Sequence, residues 1–196
     1  MFGWHKEDMD LYSINYLHHG KSKFWYGVDL RDNEKFETFM NKAFPENSKK
    51  CGEFIRHKTT LVQPKILMEN GIRVVKNVHN ENEFMISRAA AYHSGFNFGF
   101  NIAEAVNFAL SDWLKIGPKV NYCKCIDFSV SIDMKSFYET LGLNPRDYMT
   151  DVSDDESEAT IPSSEKLTPA PETLKNSELK KVAVSKSKVD SKEKLP

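Results

Sequence analysis

The sequence predicts a mainly β fold with added helices, an α+β arrangement, on three observations. Short aromatic and β-branched stretches with no helical stripe recur at 9–16, 23–28, 73–78 and 83–87. Apolar residues at helical spacing take over in a few separate stretches. The two kinds of stretch mix without the regular alternation of a parallel βαβ sheet. In chain order, 9–16 and 23–28 read as strands separated by a turn at His19-Gly20. From Asp32 the period changes: Phe36, Phe39, Met40, Ala43 and Phe44 share one helical face, with Asp32 or Asn33 as cap and Pro45 as stop. A short helix follows from Ser48 toward His57. The polar turn His79-Asn80-Glu81-Asn82 joins strands 73–78 and 83–87. A helix is expected over 102–115, burying Val106, Leu110, Trp113 and Leu114 and ended by Gly117-Pro118. Residues 121–128 suggest a strand. A last helix over 134–141 has Asp133 as cap and Gly142 as terminator.

Composition sets the boundaries. Among 196 residues, 27 basic and 28 acidic side chains leave a net charge of −1, which gives no electrostatic case for tight nucleic-acid or membrane binding. No run of 18 apolar residues exists, and the start lacks the apolar core of a secretory signal. All aromatic residues, glycines, cysteines and histidines lie at or before Tyr148, so 1–148 is the expected folded part. The rest, 149–196, is charged, contains Ser and Pro, and lacks the apolar surface to offset chain entropy; it reads as a disordered tail.

Two groups of residues carry metal chemistry. His5 and Glu7 form a His-x-Glu pair that an extended segment would point to one side. His93 sits in the aromatic and Gly-rich run Tyr92-His93-Ser94-Gly95-Phe96-Asn97. Together the three match the two-His, one-carboxylate triad of iron(II) sites, which leaves coordination positions open. The second group, Cys51, His57, Cys123 and Cys125, is a Cys3His set with the chemistry of a closed structural zinc site. The alternative is three buried thiols, but Cys-x-Cys beside Lys124 and a Cys-x5-His in a Lys-rich stretch are poor core sequences. Lys23, eight residues past Asn15 and followed by Phe24-Trp25-Tyr26, reads either as an edge residue keeping its charge in water or as a cation for a carboxylate, with the Asn15 amide nearby.

Phe2-Gly3-Trp4-His5-Lys6-Glu7-Asp8, Tyr12-Ser13-Ile14-Asn15-Tyr16-Leu17-His18, Lys23-Phe24-Trp25-Tyr26, Phe54-Ile55-Arg56-His57-Lys58 and Tyr92-His93-Ser94-Gly95-Phe96-Asn97-Phe98-Gly99-Phe100-Asn101 closely resemble the JmjC histone lysine demethylases. The subgroup is the one with a JmjN segment and a Cys3His zinc site, acting on trimethylated lysines 9 and 36 of the histone H3 tail. The match covers 1–148. It implies a jelly-roll core, cupin-like, in which His5, Glu7 and His93 hold Fe(II) and Cys51, His57, Cys123 and Cys125 hold Zn(II). It further implies that Asn15 and Lys23 bind the cosubstrate 2-oxoglutarate, with Phe2 and Trp25 lining its pocket. Lys58 matches a catalytic-site lysine close to the iron. Ala105, Val106 and Asn107 match positions around the methylammonium pocket of the substrate. The activity implied is oxidative demethylation with O2: an N-methyl group is hydroxylated and leaves as formaldehyde, which needs no nitrogen lone pair and so admits trimethyl-lysine. Histone H3 or the nucleosome is the partner implied, and the nucleus the location. Family members carry JmjN and the first jelly-roll strands ahead of the His-x-Glu strand, so the chain is read as N-terminally shortened. Its alternative role is that of a catalytically incomplete, non-enzymatic chromatin protein. Arg88-Ala89-Ala90-Ala91 stands where the family has a Pro- and aromatic-containing run.

Overall fold

The computed structural model describes residues 1–125 and 129–149. The tail expected over 149–196 lies outside them except for Met149. Among the described residues, seven strands form two antiparallel sheets. The first holds β1 (Phe2–His5), β3 (Lys23–Val28), β4 (Val74–His79) and β6 (His93–Asn97) in the order β1-β6-β3-β4. The second holds β2 (Tyr12–Gly20), β5 (Phe84–Ser87) and β7 (Asn101–Phe108) in the order β5-β2-β7. Lys23–Val28 is an interior strand, paired on both sides, so its aromatic run packs instead of lying at an edge.

The helical period at 36–44 forms α1 (Asn33–Ala43), which buries Phe36 and Met40 against Trp4, Val28 and Tyr92. Ala43, expected on that face, is exposed. Pro45 does end α1, and it also opens α2 (Pro45–Lys50) from the first helical turn, where its missing N–H costs nothing. The helix expected from Ser48 toward His57 is therefore broken at Cys51-Gly52 and resumes as a 3₁₀ turn, Phe54–His57. A further helix, α3 (Pro64–Glu69), buries Leu67.

Asp32 ends the turn before α1 and accepts from the Arg73 backbone N–H and from both sides of its guanidinium fork. These bonds hold its carboxyl well below the ordinary range. A carboxyl whose pKa falls on folding stabilises the fold above its unfolded pKa of about 3.9 and loses that contribution as pH drops through the folded value. Asp32→Asn is thus expected to lower the melting temperature at pH 7, with the gap to wild type closing toward pH 2; a gap that persists unchanged there would contradict the assignment.

Three further expectations are corrected. Residues 102–115 are not a helix: β7 pairs with β2 along its length, and beyond it lies only the 3₁₀ segment Ser111–Lys115. Backbone pairing with the central strand overrides the helical spacing of Ile102, Val106 and Leu110, so Val106 and Leu110 are exposed while Trp113 is fully buried. Residues 121–125 form no strand, and 126–128 lie outside the described residues. The strands at 73–78 and 83–87 exist but do not pair with each other; the polar turn carries the chain from one sheet to the other. Within it, buried His79 donates from Nε2 to the Glu83 carbonyl at 2.7 Å. The last helix, α4 (Met134–Thr140), forms as expected, with Asp133 accepting from the N–H groups of Lys135 and Ser136. It builds a second core around Trp113, Tyr138 and Met9.

Candidate functional site

β1 ends at His5, and its neighbour β6 begins at His93 directly opposite, which brings the two rings to 4.3 Å between centroids. Glu7 follows β1, with its Oε1 3.5 Å from His93 Nε2. One ligand atom from each of the three lies within 4.8 Å of the others. Both rings are fixed by their backbones: His5 Nδ1 donates to the Gly3 carbonyl at 2.8 Å, and His93 Nδ1 to the Ala91 carbonyl at 3.0 Å. A carbonyl only accepts, so Nδ1 of each ring carries a proton, and in the neutral form of the ring this leaves the Nε2 lone pair that ligation of a metal needs. The departure at 88–91 thus forms a tight turn, with Ala90 at φ 60°, whose Ala91 carbonyl orients the His93 ring.

Electrostatics agree with a cation site. Burial first, then neighbouring His93, pushes the His5 pKa down to about 4. Burial works against ionising Glu7, but hydrogen bonds from His93, Asn107 and Ser13 outweigh it and hold its pKa at about 2. At neutral pH the cluster is one carboxylate and a neutral His5, the protonation state that metal ligation requires. Ser13 and Asn107 come from the second sheet and reach Glu7, which follows the first, so the two sheets face each other across the site.

Beside the cluster lies an aromatic wall. Phe2 packs edge-on to Trp25, His5 and His93, at 5.2, 5.9 and 6.4 Å between centroids. Gly95 makes room for it, since a Cβ there would stand 2.6 Å from the Phe2 ring and 2.1 Å from the Phe24 carbonyl. Lys23 reaches over Phe2 and donates to Asn97 Oδ1 at 2.7 Å, and burial pushes its pKa down. Asn15 Oδ1 and Trp25 Nε1 are buried with no hydrogen-bond partner among the described residues. A half-buried cation and an unpaired indole N–H nearby in the sheets are donors that suit a small carboxylate ligand. Lys58 is exposed, yet close enough to oppose protonation of His5. Ala105 and Asn107 pair with Asn15 and Ser13 and share their face of the sheet. Val106 pairs with Ile14 and points to the opposite face, where it is 61% exposed. Asn97 and Ser13 gain roles that residue type alone does not signal.

The second cluster brings Cys51 at the end of α2 and His57 in the following turn against Cys123 and Cys125. Cys51 Sγ and Cys123 Sγ are 3.8 Å apart, and His57 Nε2 is 3.1 Å from Cys123 Sγ. Two thiolates at about 2.3 Å from one tetrahedral zinc stand about 3.8 Å apart, which is the spacing found. The Cys125 backbone N–H, then His57, draws the Cys123 thiol down to about 7, while hydrogen bonding to Cys51 and Cys123 pushes Cys125 up to about 12.

Comparison with known proteins agrees with this geometry. The family model described as "JmjC domain, hydroxylase" matches residues 1–108. The chain is 44% identical over 140 residues to lysine-specific demethylase 4D of Rattus norvegicus and to lysine-specific demethylase 4B of Mus musculus. Those alignments cover 71% of this chain but only 28% and 13% of the relatives, so the chain spans a minor part of their length. With more than half of its residues under one family model and a cupin-like pair of antiparallel sheets around the matched motifs, the chain belongs to the JmjC-domain family.

Proposed function

We propose that the chain carries the iron(II)- and 2-oxoglutarate-dependent site of a histone lysine demethylase acting in the nucleus on the H3 tail, at lysine 9, lysine 36 or both. The observation that carries this reading is the meeting of His5, Glu7 and His93, with fixed tautomers, beside the buried unpaired atoms of Asn15 and Trp25. His5, Glu7 and His93 would hold the iron, which with 2-oxoglutarate as the electron donor would activate O2, the oxidant, for hydroxylation of a methyl C–H bond. Lys23 pairs with the distal carboxylate of 2-oxoglutarate, freed for it by exchange of its bond to Asn97. Asn15 contributes an amide to the same ligand, and Phe2 and Trp25 exclude water from its flank. Ser13 and Asn107 hold the Glu7 carboxylate, while Ala105 leaves space on that face for a methylammonium group. Lys58 brings a second cation toward the iron ligands. The Cys3His cluster holds zinc and ties the segment around 123–125 to the core.

The test is mass spectrometry of trimethylated H3 peptides, around lysine 9 and around lysine 36, incubated with the 196-residue chain, iron(II), ascorbate and 2-oxoglutarate. Loss of 14-dalton steps with release of formaldehyde supports the reading, and unchanged peptides count against activity of this chain. Lys23→Ala is expected to raise the KM for 2-oxoglutarate by about 30-fold or more, the cost of leaving a half-buried carboxylate unpaired, with metal affinity unchanged. An unaltered KM would remove Lys23 from the pocket.

A second reading, a non-enzymatic chromatin protein, is favoured by one observation. The outer face of the second sheet exposes Phe84, Ile86 and Val106, each more than half accessible. An apolar sheet face of this kind marks a surface to be covered. Peptides left unmodified by a chain that still binds metal would select this reading.

A further inference from the structure

Arg56 connects the two clusters. It precedes the zinc-cluster ligand His57 in the same 3₁₀ turn, and its side chain is 5% exposed. Its guanidinium reaches three acceptors: Nε donates to Glu53 Oε2 at 2.8 Å, Nη2 to Asp10 Oδ1 at 2.7 Å, and Nη1 to the main-chain carbonyl of Glu7 at 2.8 Å. The last of these belongs to a residue of the iron cluster.

The chain after Glu7 needs such a hold. Met9 and Asp10 are buried non-glycine residues with φ of 55° and 51°, a left-handed conformation that persists only where the surroundings impose it. Lys6 grips the other Asp10 oxygen, Trp113 Nε1 donates to the Met9 carbonyl, and the Ala90 N–H to the Asp10 carbonyl. Of these contacts, those of Arg56 run to the zinc side. A buried guanidinium is costly unless its donors are met, so its three contacts stand or fall together. Its planar fork also fixes the direction of each acceptor, which a flexible ammonium does not.

We propose that Arg56 is a positioning residue for Glu7, coupling the seating of His57 in the Cys3His cluster to the metal affinity of the His5–Glu7–His93 cluster. This rests on the metal reading of both clusters. Zinc on His57 fixes the turn from which Arg56 reaches, and Arg56 fixes the backbone from which the Glu7 carboxylate points.

Cobalt(II), read by its visible absorption, probes the coupling in the zinc-loaded 196-residue chain, comparing wild type, Arg56→Gln, Arg56→Lys and His93→Ala at equal zinc content. Arg56→Gln is expected to weaken cobalt binding by about 10- to 100-fold, the usual effect of losing a group that orients a metal ligand, with Arg56→Lys in between. A purely structural Arg56 would leave that affinity unmoved in the folded, zinc-loaded fraction. Affinity within twofold of wild type in Arg56→Gln overturns the proposal; if that variant does not fold, the same result in Arg56→Lys does so. A wild-type chain without a His93-dependent cobalt band overturns the metal reading and this proposal together, which separates the two failures.

Discussion

His93→Ala is expected to abolish turnover of a methylated peptide and to weaken divalent-metal binding by more than about 100-fold, since loss of a mere orienting partner already costs 10- to 100-fold. The substitution removes one of three ligand atoms lying within 4.8 Å of each other. No other described side chain is placed to replace it: Phe2 and Trp25 cover its flanks with carbon, Ser13 Oγ bonds to Ser87 Oγ, and Asn107 Nδ2 donates to the Tyr12 carbonyl. The fold should survive. His93 is the first residue of β6 and makes its pairs through the backbone, and beyond the Nδ1 bond to the Ala91 carbonyl its side chain contacts only the site residues Glu7, His5, Phe2 and Trp25 among those described. A melting temperature close to wild type combined with absent cobalt absorption is the expected signature. Retained absorption with His93→Ala would mean that the cation sits elsewhere, and the iron reading would fall with it.

The candidate ligands of this site were legible because their chemistry is carried by residue type: His-x-Glu, a second His in a Gly-rich run, and three cysteines with one histidine. What surrounds them was less so. Lys23 stayed ambiguous in the sequence because edge and interior strands have similar composition; pairing of Lys23–Val28 on both sides removes the edge reading. Residues 102–115 misled because Ile102, Val106 and Leu110 match a helical stripe, while Ile102, Glu104, Val106 and Phe108 equally match one face of a strand. Only the presence of β2 alongside decides between the periods. The same ambiguity hid that Val106 turns away from the site while Ala105 and Asn107 face it. Arg56 was invisible for another reason: its acceptors on Glu7 and Asp10 lie more than 45 residues away in sequence, and nothing local marks the meeting.

Zinc removal is the second large effect expected. Cys51 and Cys123 are separated by 72 positions, and through them the cluster closes a loop comprising much of the fold. A crosslink over that length restricts the unfolded chain by about 4 kcal/mol on the loop-entropy estimate. At about 2–4 °C per kcal/mol for a domain of this size, chelation should lower the melting temperature by about 8–16 °C. Cys125→Ser should do nearly the same without a chelator, which separates loss of zinc from stripping of the other cluster. Differential scanning calorimetry with and without a zinc-selective chelator measures both. The loss should spread beyond the cluster: Trp113 is anchored to Met9 and packs with α4, so loosening the 117–125 segment exposes that core to proteolysis. A melting temperature that moves by less than about 2 °C while zinc is shown to leave would make the four ligands a packing cluster instead of a staple. In that case the 3.8 Å approach of Cys51 and Cys123 would need another explanation, because two neutral thiols of ordinary size gain little from meeting there.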